Sequence, residues 1–228
     1  RSTRAPRKVV GGGGGPAGLA AARVSAERGH DVVLFEAADR PGGQILLGAR
    51  ASWRRDFTGI VDWRVAERRR LGVRLELGRY AEAPDVLAHA PDVVVIATGG
   101  APDFSWIDGA EHCVSVWDIL AGAVPLAEEV IVYDGTGRHP APQAAEMALL
   151  AERRAQFVSL DAQVAQELTY AERVIWKKRM YELGAVTLFD HEIARVERRG
   201  NRVLATFRNL ATEALVEREA DQLIVEYG

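Results

Sequence analysis

The distribution of apolar and polar residues changes near residue 190. Before that point, short continuous apolar runs alternate with longer mixed stretches, as in parallel strands joined by helices. The runs at 31–36 and 92–97 predict strands that are buried on both faces. Further strands are predicted at 8–10, 73–77, 129–133, 157–160 and 185–189, and helices at 16–29, 57–71, 83–90, 114–121, 141–153 and 171–183.

Beyond residue 190, apolar and polar residues alternate with a period of two. The segments 194–198, 203–208 and 214–219 have this pattern, which is typical of an antiparallel meander with one exposed face. Residues 221–226 predict a last apolar strand. The sequence therefore predicts an α/β protein with parallel sheets, helices on their faces and an antiparallel meander.

Composition and charge exclude several classes of function. The chain has 228 residues and a net charge of −3, so nothing indicates binding to nucleic acid or to a membrane surface. No apolar run approaches the length of a membrane span. The single cysteine, Cys113, excludes an internal disulfide and a cysteine-ligated iron–sulfur cluster within this chain. We expect a cytoplasmic protein with no metal site and no catalytic residue of its own; the oligomeric state stays open.

A glycine-rich turn between the first strand and the first helix is the clearest candidate site. Gly13, Gly14, Gly15, Pro16, Ala17 and Gly18 match the pattern G-x-G-x-x-G. In such a turn the first glycine permits a tight bend, the second lets the backbone approach a pyrophosphate, and the third lets helix and strand pack closely. The pyrophosphate then meets the unpaired N–H groups of the helix. A flexible glycine linker is the alternative interpretation of this segment.

An acidic residue at the end of the next predicted strand supports the nucleotide interpretation. Glu36 follows Gly18 by 18 positions, where a carboxylate can accept hydrogen bonds from the ribose hydroxyls of an adenosine. A carboxylate there disfavours a 2′-phosphate, although Arg40 is close in sequence. The alternative is a solvated acid at a strand end. The preceding Gly11 and Gly12 have no functional explanation in the sequence.

A second turn has a similar but incomplete pattern. Gly135 and Gly137 are followed by Pro140, which stands where a third glycine belongs and which has no N–H group. Asp161, at the end of the following strand, is a possible ribose acceptor. Two interpretations stay open: an NAD(P)H site, and a degenerate unit with a structural role, which we favour.

Several segments carry a resemblance to a known family. The segment VVGGGGGPAGLAAARVSAERGHDVVLFEAADRPGGQ and the later Ala97-Thr98-Gly99 resemble the flavoproteins with two dinucleotide-binding domains. More narrowly, the chain resembles the C-terminal half of old-yellow-enzyme-like oxidoreductases. The segments CVSVWDIL, VYDGTGRHPA and AQELTYAERVIWKKRMYELG resemble most the amine dehydrogenase and demethylase branch of that group. That group includes trimethylamine and histamine dehydrogenases, dimethylglycine and N-methylproline demethylases, and 2,4-dienoyl-CoA reductase.

The resemblance implies a domain arrangement and a set of cofactor-binding residues. It implies a linker at 1–7, a Rossmann-like FAD- or ADP-binding domain at 8–121 plus 190–228 that lacks a closing C-terminal element, and a second NAD(P)-binding-like unit at 122–189. The residues expected to bind the adenine dinucleotide are Gly13, Gly14, Gly15, Pro16, Ala17, Gly18, Glu36, Ala37, Arg40, Gly43, Gln44, Ala97, Thr98 and Gly99.

The function implied by the resemblance is part of a larger enzyme. The chain would be the FAD- or ADP-binding portion of a flavin-dependent amine dehydrogenase or N-demethylase. FMN and a 4Fe-4S cluster would reside in an N-terminal TIM barrel outside this chain, and an electron-transfer flavoprotein would accept the electrons. The alternatives are an NAD(P)H-dependent flavin reductase subunit and a non-catalytic ADP-binding domain.

Overall fold

The computed structural model describes residues 5–227. The chain divides into two compact units, residues 1–100 and residues 101–228. Residues 1–4, most of the predicted linker, and Gly228 lie outside the described part of the chain. Each unit contains its own parallel sheet with helices. The predicted Rossmann-like α/β fold is confirmed.

The first unit is built on a four-stranded parallel sheet with the strand order β3-β2-β1-β4. Its elements are, in chain order, β1 (Lys8–Gly12), α1 (Pro16–Glu27), β2 (Asp31–Phe35), α2 (Gln44–Gly48), α3 (Thr58–Arg70), β3 (Arg74–Glu76), α4 (Ala83–Leu87) and β4 (Val93–Ile96).

The core of this unit follows from the apolar run of β2. Its four residues after Asp31 are all buried, because β2 lies inside the sheet with apolar neighbours on both faces. On one face, Leu19 and Ala22 of α1 pack against Val32 and Leu34. Burial of such side chains contributes about 1.5–3 kcal/mol each. This packing holds the turn between β1 and α1 against the carboxyl end of the sheet.

The prediction that residues 92–97 form a strand buried on both faces is wrong. β4 is an edge strand, paired only with β1 among the described residues. Val94 and Ile96, which share one face of the strand, are 46% and 82% exposed. An apolar run predicts a strand, but it does not show which strand will lie at the edge of the sheet.

The second unit contains a five-stranded parallel sheet of order β5-β12-β6-β7-β8 and an antiparallel sheet of order β11-β10-β9. Its elements are β5 (Cys113–Ser115), α5 (Val116–Ala121), β6 (Glu129–Asp134), α6 (Pro140–Leu150), β7 (Arg154–Ser159), α7 (Tyr170–Glu182), β8 (Val186–Leu188), β9 (His191–Arg199), β10 (Arg202–Asn209), β11 (Leu215–Ala220) and β12 (Gln222–Glu226). The antiparallel sheet is the predicted meander, and it packs on the parallel sheet through a shared core that includes Tyr133, Phe207 and Leu223.

The predicted domain boundaries stay a prediction, in which residues 101–121 and 190–228 join the first domain. In the structure, both stretches belong to the compact unit of residues 101–228. β12 is inserted between β5 and β6, in parallel register with both, and all five of its residues are buried. The apolar run of β12 therefore completes the second sheet.

Within residues 5–227, no helix has the length and apolar character needed to cross a membrane.

Candidate functional site

Each of the three motif glycines in the first turn meets a different steric requirement. Gly13 has a φ of +100°, which favours glycine, and a Cβ there would overlap the carbonyl oxygen of Ala97. A Cβ at Gly18 would overlap the carbonyl oxygen of Gly13, so this glycine allows α1 to approach β1. A Cβ at Gly15 would meet nothing closer than Gly43 Cα, at 3.9 Å. Gly15 thus keeps open space in front of the helix.

The first turn of α1 is left without a side-chain cap. Gly15 occupies the N-cap position in extended conformation, and Pro16 is the first helical residue. The leading N–H groups of a helix have no partner within the helix, and the positive end of its dipole attracts anions. The start of α1 therefore combines free donors, positive potential and space, which together suit a phosphate group.

Glu36 lies against the same turn. Its Oε2 accepts a hydrogen bond from the N–H of Gly14 at 2.6 Å, and its Oε1 accepts one from the N–H of Ala38 at 2.8 Å. These two bonds orient the carboxylate at the end of β2, beside the glycine turn. Since a carboxylate has about four acceptor positions, Glu36 can also accept bonds from ribose hydroxyls.

Two further loops reach the first turn. Gly42 donates its N–H to the carbonyl oxygen of Gly14 at 2.9 Å, which joins the loop after β2 to the turn. After β4, the N–H of Ala97 donates to the carbonyl oxygen of Gly12 at 2.8 Å. The chain then bends at Gly99, which has a φ of +77°. A Cβ at Gly99 would lie 3.5 Å from Gln44 Nε2, so these two loops are neighbours.

The structure therefore brings together most of the residues that the sequence singled out. The turn itself consists of residues Gly13 to Gly18. Around it lie Glu36, Gly43, Gln44 and the Ala97–Gly99 segment. Ala37 and Arg40 lie on the exposed loop after β2. The binding roles of all these residues stay predictions.

The second turn has a different arrangement around its glycines. The buried Asp134, at the end of β6, accepts hydrogen bonds at Oδ1 from the N–H groups of Thr136 and Gly137, at 3.1 and 2.8 Å. The neighbouring strand β12 contributes Glu226, which accepts the hydroxyl of Thr136. The sequence analysis did not identify Asp134 or Glu226 as part of this turn. Each is an acidic residue at the end of a predicted strand, and this position was the signal that could have identified them.

Asp161 approaches this second turn from β7. A Cβ at Gly137 would overlap Asp161 Oδ2, and a Cβ at Gly135 would overlap the ring of Tyr227. Burial, and then the nearby Glu167 and Asp190, raise the pKa of Asp161. The turn is therefore enclosed by acidic side chains, and the predicted role of Asp161 as a ribose acceptor stays untested.

We expect the free energy of unfolding to fall as the pH rises from 5 to 8. Burial, and then the neighbouring Glu226, raise the pKa of Asp134 to about 8, whereas an aspartate in an unfolded chain titrates near about 3.9. The folded state therefore binds a proton that the unfolded state has lost, and stability decreases through this range by about 3–4 kcal/mol. Urea unfolding at pH 5, 6.5 and 8 measures the effect.

Asp134→Asn should make this pH dependence less steep, because an amide does not titrate, whereas Glu226, whose pKa burial also raises, still does. Asp62→Asn removes an exposed carboxylate of α3 and serves as the matched control. If the Asp134→Asn protein loses stability with pH as steeply as the wild type, Asp134 is not the titrating group.

Residues 5–227 contain no group of three or more His, Cys, Asp or Glu side chains that could hold a metal ion.

Comparisons with known proteins agree with the geometry of the first turn. Residues 9–61 match the family model of an NAD(P)-binding Rossmann-like domain. The chain is 44% identical over 224 residues to a multifunctional alkene reductase/demethylase of Caballeronia cordobensis, covering 97% of this chain and 33% of that protein. It is 38% identical over 230 residues to an N,N-dimethylglycine/sarcosine dehydrogenase of Chromohalobacter salexigens, again covering 97% and 33%.

A solved structure shows the same fold. A 2-naphthoyl-CoA reductase in complex with 2-naphthoyl-CoA superimposes with a TM-score of 0.90 and 28% identity, over 100% of this chain and 34% of that chain. The present chain thus spans about a third of the length of the curated relatives it matches. These findings confirm the resemblance predicted from the sequence, and they support a dinucleotide or flavin cofactor.

Proposed function

We propose that this chain, as a segment of an old-yellow-enzyme-like flavin oxidoreductase, binds the adenosine diphosphate moiety of FAD, or ADP itself, at its first glycine turn. The observation that carries the proposal is the uncapped start of α1 behind Gly15, with the Glu36 carboxylate held beside it. The relatives that the chain matches support an amine dehydrogenase or N-demethylase as the parent activity.

The residues of the first unit fit such a group. The N–H groups at the start of α1 would face the pyrophosphate, and Gly15 would let it come close. Glu36 would accept the ribose hydroxyls, and the bends at Gly42 and Gly99 would shape the surrounding loops. FAD bound here would supply a two-electron carrier, whereas ADP would be structural.

The remaining partners belong to the same proposal. Substrate oxidation would take place at FMN in an N-terminal barrel that also holds a 4Fe-4S cluster. An electron-transfer flavoprotein would receive the electrons. These assignments rest on the family resemblance, because the chain itself contains a single cysteine and cannot ligate a cysteine-bound cluster.

A second candidate function is a reductase subunit that binds NAD(H) in the first turn. It is favoured by the match of residues 9–61 to an NAD(P)-binding Rossmann-like domain. The two candidates differ in the ligand that the first turn holds: a subunit of this kind releases NAD(H) on denaturation, whereas the proposed segment releases FAD or ADP.

One experiment separates the candidates. The purified chain is denatured, and the visible spectrum and mass of any released small molecule are recorded; ADP is then titrated into the ligand-free protein by calorimetry. Release of FAD or ADP, or binding of ADP with a Kd below about 100 µM, supports the proposal. A protein that releases neither and binds no ADP contradicts it.

Glu36→Gln tests the ribose contact. We expect a 10- to 100-fold weaker affinity for ADP, since a hydrogen bond to a charged group contributes about 1.5–3 kcal/mol. The variant should also lose part of the wild-type preference for ADP over adenosine 2′,5′-diphosphate, because the negative charge that opposes a 2′-phosphate is gone. Calorimetric titration measures both affinities.

Asp31→Asn is the matched control, because it removes an exposed carboxylate from the opposite end of the same strand. Its ADP affinity should equal that of the wild type. Equal affinities in the Glu36→Gln and Asp31→Asn proteins would mean that Glu36 does not contact the ligand.

A further inference from the structure

The second glycine turn has backbone donors like those of the first, but a side chain of the same unit already uses them. Asp134 Oδ1 accepts the N–H groups of both Thr136 and Gly137, at 3.1 and 2.8 Å. The N–H of Gly135 donates to the backbone oxygen of Glu226 at 2.9 Å. Three successive amides of the turn therefore already donate to acceptors within the protein. In an intact phosphate-binding turn, such amides would donate to the phosphate instead.

The helix that follows the second turn offers few donors. α6 begins at Pro140, and its third residue is Pro142. Proline has no N–H group, so only Ala141 among the first three helical residues has one. In the first unit, by contrast, only the leading Pro16 of α1 is a proline. An anion at the start of α6 would thus meet a helix terminus with most of its donors removed.

The space in front of the second turn is occupied by acidic side chains. A Cβ at Gly137 would overlap Asp161 Oδ2 and would lie 3.1 Å from Glu167 Cγ. Glu167 is also tied to the turn, since its N–H donates to the carbonyl oxygen of Gly137 at 3.0 Å. Asp134 and Glu226 contact the same turn through its amides and the Thr136 hydroxyl, so an approaching phosphate would find carboxyl groups in contact with the groups it would bind.

We infer that Asp134 closes the second glycine turn to dinucleotide phosphates, and that the second unit consequently takes no nicotinamide dinucleotide at this turn. Asp134 acts as a specificity-determining residue: its carboxyl group binds the amides that would hold a phosphate in an intact site. The two prolines and the facing acids act in the same direction. This inference concerns the second turn alone and does not depend on ligand binding by the first.

The test follows backbone amide signals in the ¹⁵N-labelled chain by NMR during titrations with NADH, NADPH and ADP, each to about 1 mM. The signals of Thr136 and Gly137 should stay unshifted with all three ligands. The signals of Gly15 and Gly18 report separately on the first turn. Saturable shifts of Thr136 and Gly137 with NADH or NADPH, at a Kd below about 100 µM, would overturn the inference, whatever the first turn does.

Two substitutions test the role of Asp134 itself, with inorganic pyrophosphate as the probe. Asp134→Ala frees the two amides, and we expect pyrophosphate to shift the signals of Thr136 and Gly137 with at least 10-fold higher affinity than in the wild type. Asp134→Asn retains an acceptor oxygen and should behave as the wild type does. A folded Asp134→Ala protein that shows no such gain would show that Asp134 does not close the turn.

Hydrogen exchange provides a measurement for the case that Asp134→Ala does not fold. In the wild type, exchange of the Thr136 and Gly137 amides should be slowed at least 10-fold relative to an unstructured peptide. Exchange at the unprotected rate would mean that the bonds to Asp134 do not persist in solution, and the inference would fail.

Discussion

Gly15→Ala should lower the affinity for ADP at least 100-fold while changing the free energy of unfolding by less than about 1 kcal/mol. The fold has room for the methyl group, because the nearest heavy atom to a Cβ at this position is Gly43 Cα at 3.9 Å. The backbone also permits it, since Gly15 has a φ of −74°. The methyl group would, however, project into the space through which a pyrophosphate approaches the N–H groups of α1.

Calorimetric titration with ADP and urea unfolding measure the two effects separately. Gly59→Ala is the matched control, because a Cβ at this position in α3 has no heavy atom within 4 Å. It should leave both the affinity and the fold unchanged. ADP affinity of the Gly15→Ala protein within 3-fold of the wild type, on the order of 0.6 kcal/mol, would show that the phosphate does not pass Gly15.

Gly18→Ala, the same substitution three residues later, should lower the stability of the fold, which Gly15→Ala leaves nearly unchanged. Here the added methyl group would overlap the carbonyl oxygen of Gly13, so α1 would have to move away from β1. We expect a loss of about 3 kcal/mol in the free energy of unfolding, at the upper end of the usual cost of overpacking. Urea unfolding followed by circular dichroism measures it.

Gly12→Ala is the control for backbone glycines in this region. A Cβ at Gly12 would have Thr98 Cγ2 as its nearest neighbour, at 3.9 Å, so the change in stability should stay below about 1 kcal/mol. Equal stabilities of the Gly18→Ala and Gly12→Ala proteins would contradict the steric explanation for the third motif glycine.

The first turn could be predicted from sequence because its determinants are local. The spacing of Gly13, Gly15 and Gly18 encodes a bend, an open approach and a close helix contact, and the structure shows each of the three. Glu36 could be predicted as well, since a strand of known length places its end beside the turn. The parallel arrangement of β1 and β2 follows from the helix between them.

Strand order in the sheets could not be predicted in the same way. Residues 92–97 and 221–226 have similar apolar runs, yet β4 lies at an open edge and β12 lies inside a sheet. The difference depends on pairing between segments far apart in sequence, which an apolar run does not encode. Gly11 had no explanation in the sequence. In the structure, a Cβ there would lie 2.8 Å from Leu34 Cδ1, so the strand interior has little room at this position.

Asp134 was missed for a related reason. An acid at a strand end before a glycine turn has the same sequence signature whether it faces solvent or folds back onto the turn. Its burial depends on β12, which arrives beside β6 with Glu226 in register with Asp134. Only the tertiary structure therefore shows that Asp134 accepts both the Thr136 and the Gly137 amides of the second turn, whereas Glu36 accepts the Gly14 amide of the first.

The open edge of β4 favours self-association of this chain. Its outer N–H and C=O groups face away from β1, and the adjoining Val94 and Ile96 are apolar and exposed. An unprotected strand of this kind recruits any extended segment that can add to it, including β4 of a second molecule. We therefore expect residues 1–228 to self-associate at high concentration. Ile96→Lys places a charge on the edge strand and should keep the protein monomeric.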